Sequence, residues 1–214
     1  VTGSAAAARS PDVAVRRIAI LVGEPAAVPV VRALVDDLVG GPTGGANTGA
    51  TGGDALTVLA PAAARAALRL PEAVGFQPLP VVSKSDAWTE VVTVSVLRGV
   101  LSGPARPDLV HAFGVRAGFV AALASRTVPG HARPSLVVSW PPDPASAGAL
   151  RGLERRLVAR AATVSVVGDL TEATPLFGWG GRDVRALPAV GAAATDHLAA
   201  VRALYDELVP PTRG

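Results

Sequence analysis

Twenty residues, Pro107 to Arg126 (PDLVHAFGVRAGFVAALASR), constrain this chain more than any other stretch. They read as a strand, a tight turn and a helix in immediate succession. Asp108 to Ala112 is a short apolar run, the mark of a strand buried in a parallel sheet. Phe113-Gly114 breaks it. From Val115 onward, Ala117, Val120, Ala121, Ala124 and Val128 recur at helical spacing. In a doubly wound α/β sheet, ligands bind outside the carboxyl ends of the strands. This reading puts His111 at such an end.

The same alternation runs through the rest of the chain. Apolar strands are expected at Arg17–Val22, Ala55–Ala60, Ser135–Trp140, Thr163–Val167 and Asp183–Leu187. Gly75–Val82 carries two prolines and reads as an edge strand. Helices are expected at Val28–Val39, with Val31, Leu34, Val35 and Leu38 inward, and from Pro61 to Leu70. Another runs to Leu101, capped by Ser85 or Asp86 with Glu90 placed for a capping box. Further helices are expected at Ala147–Ala162, after Asp169 with a D-x-x-E box ending at Glu172, and at Thr195–Val209. Strands alternating with helices imply a single α/β domain, a mostly parallel sheet with helices on both faces. Residues 1–16 read as a disordered leader, 17–193 as the domain and 194–214 as a C-terminal helix and tail. The glycine-rich run Gly40–Gly53 follows a helix and precedes a strand. That is the reverse of a phosphate cradle, so it reads as a flexible spacer.

Composition excludes several classes. There is no cysteine, which removes disulfides and thiolate metal sites, and His111, His131 and His197 lack metal-ligand spacing. No metal and no cofactor is expected. The net charge of +3 comes with nineteen arginines and one lysine, Lys84. Arg151, Arg155, Arg156 and Arg160 fall mostly on one solvated helix face, with an anionic partner as the alternative. No nucleic-acid stripe is apparent. No apolar run reaches the ~20 residues of a membrane span, so a cytoplasmic protein is expected, with peripheral contact at a membrane surface left open. The Ala, Gly, Arg, Pro and Val bias resembles GC-rich bacterial coding sequence.

Candidate ligand groups follow from the strand-to-helix loops. Gly23 lets another molecule approach the backbone, or is a plain turn. Glu24 can take a hydroxyl, or be solvated. His111 can donate a hydrogen bond or act as a base, or be a satisfied interior histidine. Gly114 opens the following helix. Arg116 can grip a phosphate, or sit on the surface. Trp140 can stack on a sugar or base, or pack in the interior. G-x-G-x-x-G and G-x-S-x-G are both missing.

PDLVHAFGVRAGFVAALASR, then SLVVSW, LERRLVARAATVSVVGDLTEA and RDVRALPAVGAA, together resemble the amino-terminal half of GT-B fold glycosyltransferases of the family 4 type. The likeness runs from Arg17 to Ala193 and rests on the order and spacing of the motifs. It implies a Rossmann-like domain that holds the acceptor, while a second such domain binds the nucleotide sugar. Gly23, His111, Gly114 and the loop after Trp140 match the acceptor side. Leu198 to Val209 resembles the family's last helix, which crosses back onto the first domain. There are departures. Pro141-Pro142 stands where relatives carry His-Asp or His-Asn, and Ala189-Val-Gly191 replaces an Asn-Gly. A second domain of ~150 residues has no counterpart here. The expectation is therefore an acceptor-side domain acting on a sugar or glycolipid acceptor, with a protein partner supplying the donor half. The alternative is a non-catalytic binding or regulatory module built on the same fold.

Overall fold

The computed structural model describes residues 15–40, 54–81, 87–141, 149–169, 174–188 and 194–210. Seven parallel strands form one sheet in the order β3-β2-β1-β4-β5-β6-β7. They are β1 Arg17–Val22, β2 Ala55–Ala60, β3 Gly75–Pro78, β4 Leu109–Phe113, β5 Ser135–Ser139, β6 Val164–Val167 and β7 Val184–Ala186. The helices are α1 Val28–Gly40, α2 Arg65–Leu68, α3 Ala87–Ser102, α4 Val115–Arg126, α5 Ala149–Ala161, α6 Thr174–Gly178 and α7 Ala194–Leu208. All seven strands point the same way, so their carboxyl ends line a single edge. β3 is an outer strand, where its Pro78 can sit without breaking a ladder on both sides.

Alternate side chains divide the interior into two layers. Ala19, Leu21, Val110, Ala112, Leu136 and Val138 face α3, α4 and α5. Ile18, Ile20, Leu109, Phe113 and Val137 face α1 and α7. The central strand β4 is buried at every residue, as a strand covered on both sides must be. α1 buries the four side chains its periodicity pointed inward: Val31, Leu34, Val35 and Leu38.

α7 is fastened at several points to the opening elements of the chain. Arg16 reaches Asp206 at 2.7 Å, Asp54 at 2.7 Å and the Val209 carbonyl at 3.1 Å. Arg202 reaches Asp37 on α1 at 2.6 Å, and Arg185 on β7 reaches Glu207 at 2.6 Å. Arg16, grouped with the leader from sequence, belongs to the folded body because it is buried among these partners. Residues 1–14 of the leader, the Gly-rich run beyond Gly40, the Ser85/Asp86 caps and Glu172 lie outside the described residues. Arg155 corrects the solvated arginine face. It is buried, with its guanidinium over the Trp179 ring at 5.4 Å, while Arg156 and Arg160 are exposed.

The layer under α4 is tight. A Cβ at Gly118 would lie 2.9 Å from Val158 Cγ1 and 3.0 Å from Val138 Cγ1, both on stiff branched side chains. Gly152 on α5 has open space instead. Urea unfolding should therefore separate the two glycines. Gly118→Val is expected to lose about 1–3 kcal/mol through overpacking. Gly152→Ala is expected to gain up to ~1 kcal/mol from helix propensity.

Candidate functional site

The strand order reverses between β1 and β4, and that is where an open parallel sheet offers a crevice at its carboxyl edge. Three of the residues singled out from sequence meet there. Gly23 follows β1 and donates its N–H to the Phe113 carbonyl at 3.3 Å. Gly114 follows β4 and donates to the Ser139 carbonyl at 2.9 Å. A Cβ on Gly23 would lie 2.9 Å from the Ala117 amide nitrogen, so only glycine lets the β1 loop touch the first turn of α4. Gly114 has φ +93°, a conformation side chains rarely adopt, and a Cβ there would meet Glu24 Cδ and Oε1 at 2.7 Å. Glu24 thus lays its side chain across the residue that opens α4. Its negative charge is favourable beside a helix amino terminus.

Beside this contact lies a cleft of about 560 Å³, lined by Gly23, Glu24, Pro25, Pro61, Ala64 and Val81 among others. Among the described residues, Glu24 is the one ionisable residue in its lining. An apolar-walled cleft with a single placed polar group is the usual make-up of a small-ligand site. A wider depression of about 750 Å³ runs along α2 and β3, with Arg65, Arg69 and Glu72 in its wall. It lies on the outer border of the sheet, away from the strand-order reversal.

His111 is not at the strand's end. It is the middle residue of β4, fully buried, on the layer that faces α1 and α7. Its Nδ1 is 2.6 Å from the Tyr205 hydroxyl on α7, and its Nε2 is 2.7 Å from Ser139 Oγ at the end of β5. Phe113 stacks on the ring at 4.1 Å and Tyr205 meets it edge-on at 5.7 Å. Burial, with a smaller contribution from His197, lowers the imidazole from 6.5 to about 3. Burial likewise pushes the Tyr205 phenol above its ordinary range. The buried phenol proton has the Nδ1 lone pair as its acceptor. Tyr205 therefore donates to Nδ1, and the Nε2–H donates to Ser139. This tautomer is assigned from the hydrogen-bond pattern. A neutral, doubly bonded, buried ring anchors α7 to the sheet, with both of its nitrogens taken by protein groups.

The remaining candidates are also engaged. Arg116 ties three helices together, reaching Glu90 on α3 at 2.6 Å and Glu154 on α5 at 3.1 Å. Glu90 thus holds an arginine; the Ser85 or Asp86 cap it was paired with from its spacing lies outside the described residues. Trp140 is buried and packs on Trp179, with ring centroids 6.0 Å apart. The loop beyond Pro141 lies outside the described residues. Among these residues no group of three or more His, Cys, Asp or Glu is arranged to hold a metal ion. Sequence reasoning gave Tyr205, Ser139 and Glu154 no bonding role. Tyr205 carried a signal, being the chain's single tyrosine on the inward stripe with Val201 and Leu204. Ser139 and Glu154 carried none, because their partners are distant in sequence.

No family model matches the chain, and no curated protein matches it. Among solved structures it is similar to Anabaena Alr3699/HepE in complex with UDP. The identity is 17% and the TM-score 0.49, over 80% of this chain and 43% of that one. The chain thus spans less than half the length of that structure. A likeness so distant carries no function across.

Two outcomes follow from this geometry. Gly114→Ala should destabilise by about 1–3 kcal/mol in thermal or urea unfolding, because φ and Glu24 both oppose a Cβ. The buried imidazole stays neutral where the unfolded chain takes a proton. Stability is therefore whole above pH 6.5 and falls as pH drops from 6.5 toward 3, by about 1.4 kcal/mol per unit. Denaturant titrations across that window should show a shallower fall for His111→Gln than for the wild type; parallel curves would contradict it.

Proposed function

We propose that this chain is the acceptor-holding half of a GT-B-like glycosyltransferase, and that the cleft between the β1 and β2 loops, beside the switch point, receives a hydroxyl-bearing acceptor. The observation that carries the reading is Glu24. A carboxylate accepts hydrogen bonds from hydroxyl groups and repels phosphate. Here it stands at the amino terminus of α4, the place a phosphate would otherwise occupy. A cleft so furnished suits a neutral polyol and disfavours the diphosphate of a nucleotide sugar. The ordered motifs from Arg17 to Ala193, and α7 folded back on α1, support the same assignment.

In this reading Glu24 binds and orients an acceptor hydroxyl, and the donor sugar comes from a second domain that lies outside these residues. Transfer needs groups on both sides of a closed cleft, because positioning and charge stabilisation supply most of the rate. A binding or regulatory module on the same fold is the second reading. It is favoured by one observation: His111 and Arg116, the two candidates for proton or phosphate chemistry, are both committed to interior bonds.

The test pairs binding with turnover. Methyl glycosides are titrated into the purified chain and followed by saturation-transfer NMR. At least one should bind, and Glu24→Ala should weaken it about tenfold or more, the worth of a charged hydrogen bond. Nucleotide sugars offered to the same chain should be neither hydrolysed nor transferred. UDP binding that is tight and indifferent to Glu24→Ala, or turnover by the isolated chain, would contradict an acceptor-side role.

A further inference from the structure

α3 is apolar on both of its sides. Its inner side buries Thr93, Leu97 and Leu101 against the sheet. Its outer side carries Trp88, Val91, Val92 and Val96, exposed by 76%, 57%, 38% and 37%. Positions 88, 91, 92 and 96 form one stripe along a helix. These four are the majority of the seven large hydrophobics exposed among the described residues. Scattered surface valines need no explanation, but a helix apolar all round is one whose outer side has a cover. A further exposed residue, Leu153, lies on α5 beside Glu154, which joins Glu90 on Arg116. Arg116 on α4 thus ties the amino-terminal part of α3, which carries Trp88, to that of α5, which carries Leu153.

Charge on this layer is one-sided. The exposed ionic side chains described on α3, α4 and α5 are Arg98, Arg126, Arg156 and Arg160. The layer's two described carboxylates, Glu90 and Glu154, are turned onto Arg116. The opposite layer is mixed, with Asp36, Asp196, Asp206 and Glu207 exposed on α1 and α7. No helix among the described residues is long and apolar enough to cross a membrane.

We propose that the outer face of α3, flanked by Leu153 and these arginines, docks the protein on an anionic lipid bilayer. Trp88 and the three valines enter the interfacial region, and the arginines meet lipid phosphates and acidic headgroups. A second copy of the chain is a poorer occupant. A stripe four side chains long falls short of the ~800 Å² per partner that stable dimers bury, and the arginines of the two copies would repel. The docking face does not depend on the sugar-transfer reading. A chain that binds no glycoside can still bind vesicles.

The experiment is co-sedimentation of the purified chain with phosphatidylcholine vesicles, with and without phosphatidylglycerol. Binding is expected only where phosphatidylglycerol is present, and is expected to weaken as salt is raised. Tryptophan emission should shift to the blue on binding, because Trp88 is exposed while Trp140 is already buried. Arg98→Ser and Arg156→Ser should each lower affinity about fivefold. The double variant Trp88→Ser/Val91→Ser should lose binding while keeping the wild-type circular dichroism melt, since both side chains lie outside the core. Absence of binding, equal binding to phosphatidylcholine alone, or full binding by the double variant would each overturn the proposal. So would a concentration-dependent dimer that the double variant abolishes.

Discussion

The line from Tyr205 through His111 to Ser139 joins the last helix of the chain to the middle of its sheet. It runs through an otherwise apolar layer, where an unmet polar group is costly. Each member is therefore held by the others. The ring keeps its neutral form because it is dry and doubly bonded, the phenol has one acceptor within reach, and Ser139 closes the line at the sheet edge. α7 is consequently an integral layer of the domain, reinforced at its rim by Arg16, Arg185 and Arg202.

With the histidine occupied in this way, the functional weight moves to the edge above it. Two glycines allow the β1 and β4 loops to close on each other, and the space between them is taken by Glu24. Beside it, between the β1 and β2 loops, lies an apolar-walled cleft in which Glu24 is the one ionisable side chain among the described residues. On the other side of the sheet, Arg116 draws two carboxylates inward and leaves an outer surface of arginines, valines and Trp88. One half-buried ion-pair cluster thus shapes the charge of a whole face, and the two faces of the domain are chemically unlike.

The parallel α/β architecture was legible because hydrophobic period is a local property. β1, β2 and the inward stripe of α1 follow directly from residues 17–60. The meeting of Gly23, Glu24 and Gly114 was legible only as separate loops, since their proximity depends on strand order. His111 was misplaced by a shift of one residue in the strand. Starting β4 at Leu109 instead of Asp108 carries it from the edge into the interior. Its partners, 28 and 94 residues away, leave no trace in local spacing. The Arg116 cluster was hidden for the same reason, as its carboxylates sit on helices 26 and 38 residues distant.

The central claim is that His111 is an interior anchor that makes α7 part of one cooperative domain. Native-state hydrogen exchange tests it most directly. The amides of Leu204 and Tyr205 should open with the same free energy and the same denaturant dependence as those of Val110 and His111 on β4. If the α7 amides instead exchange through a low-energy opening while β4 stays protected, the helix is an appendage and the account is wrong.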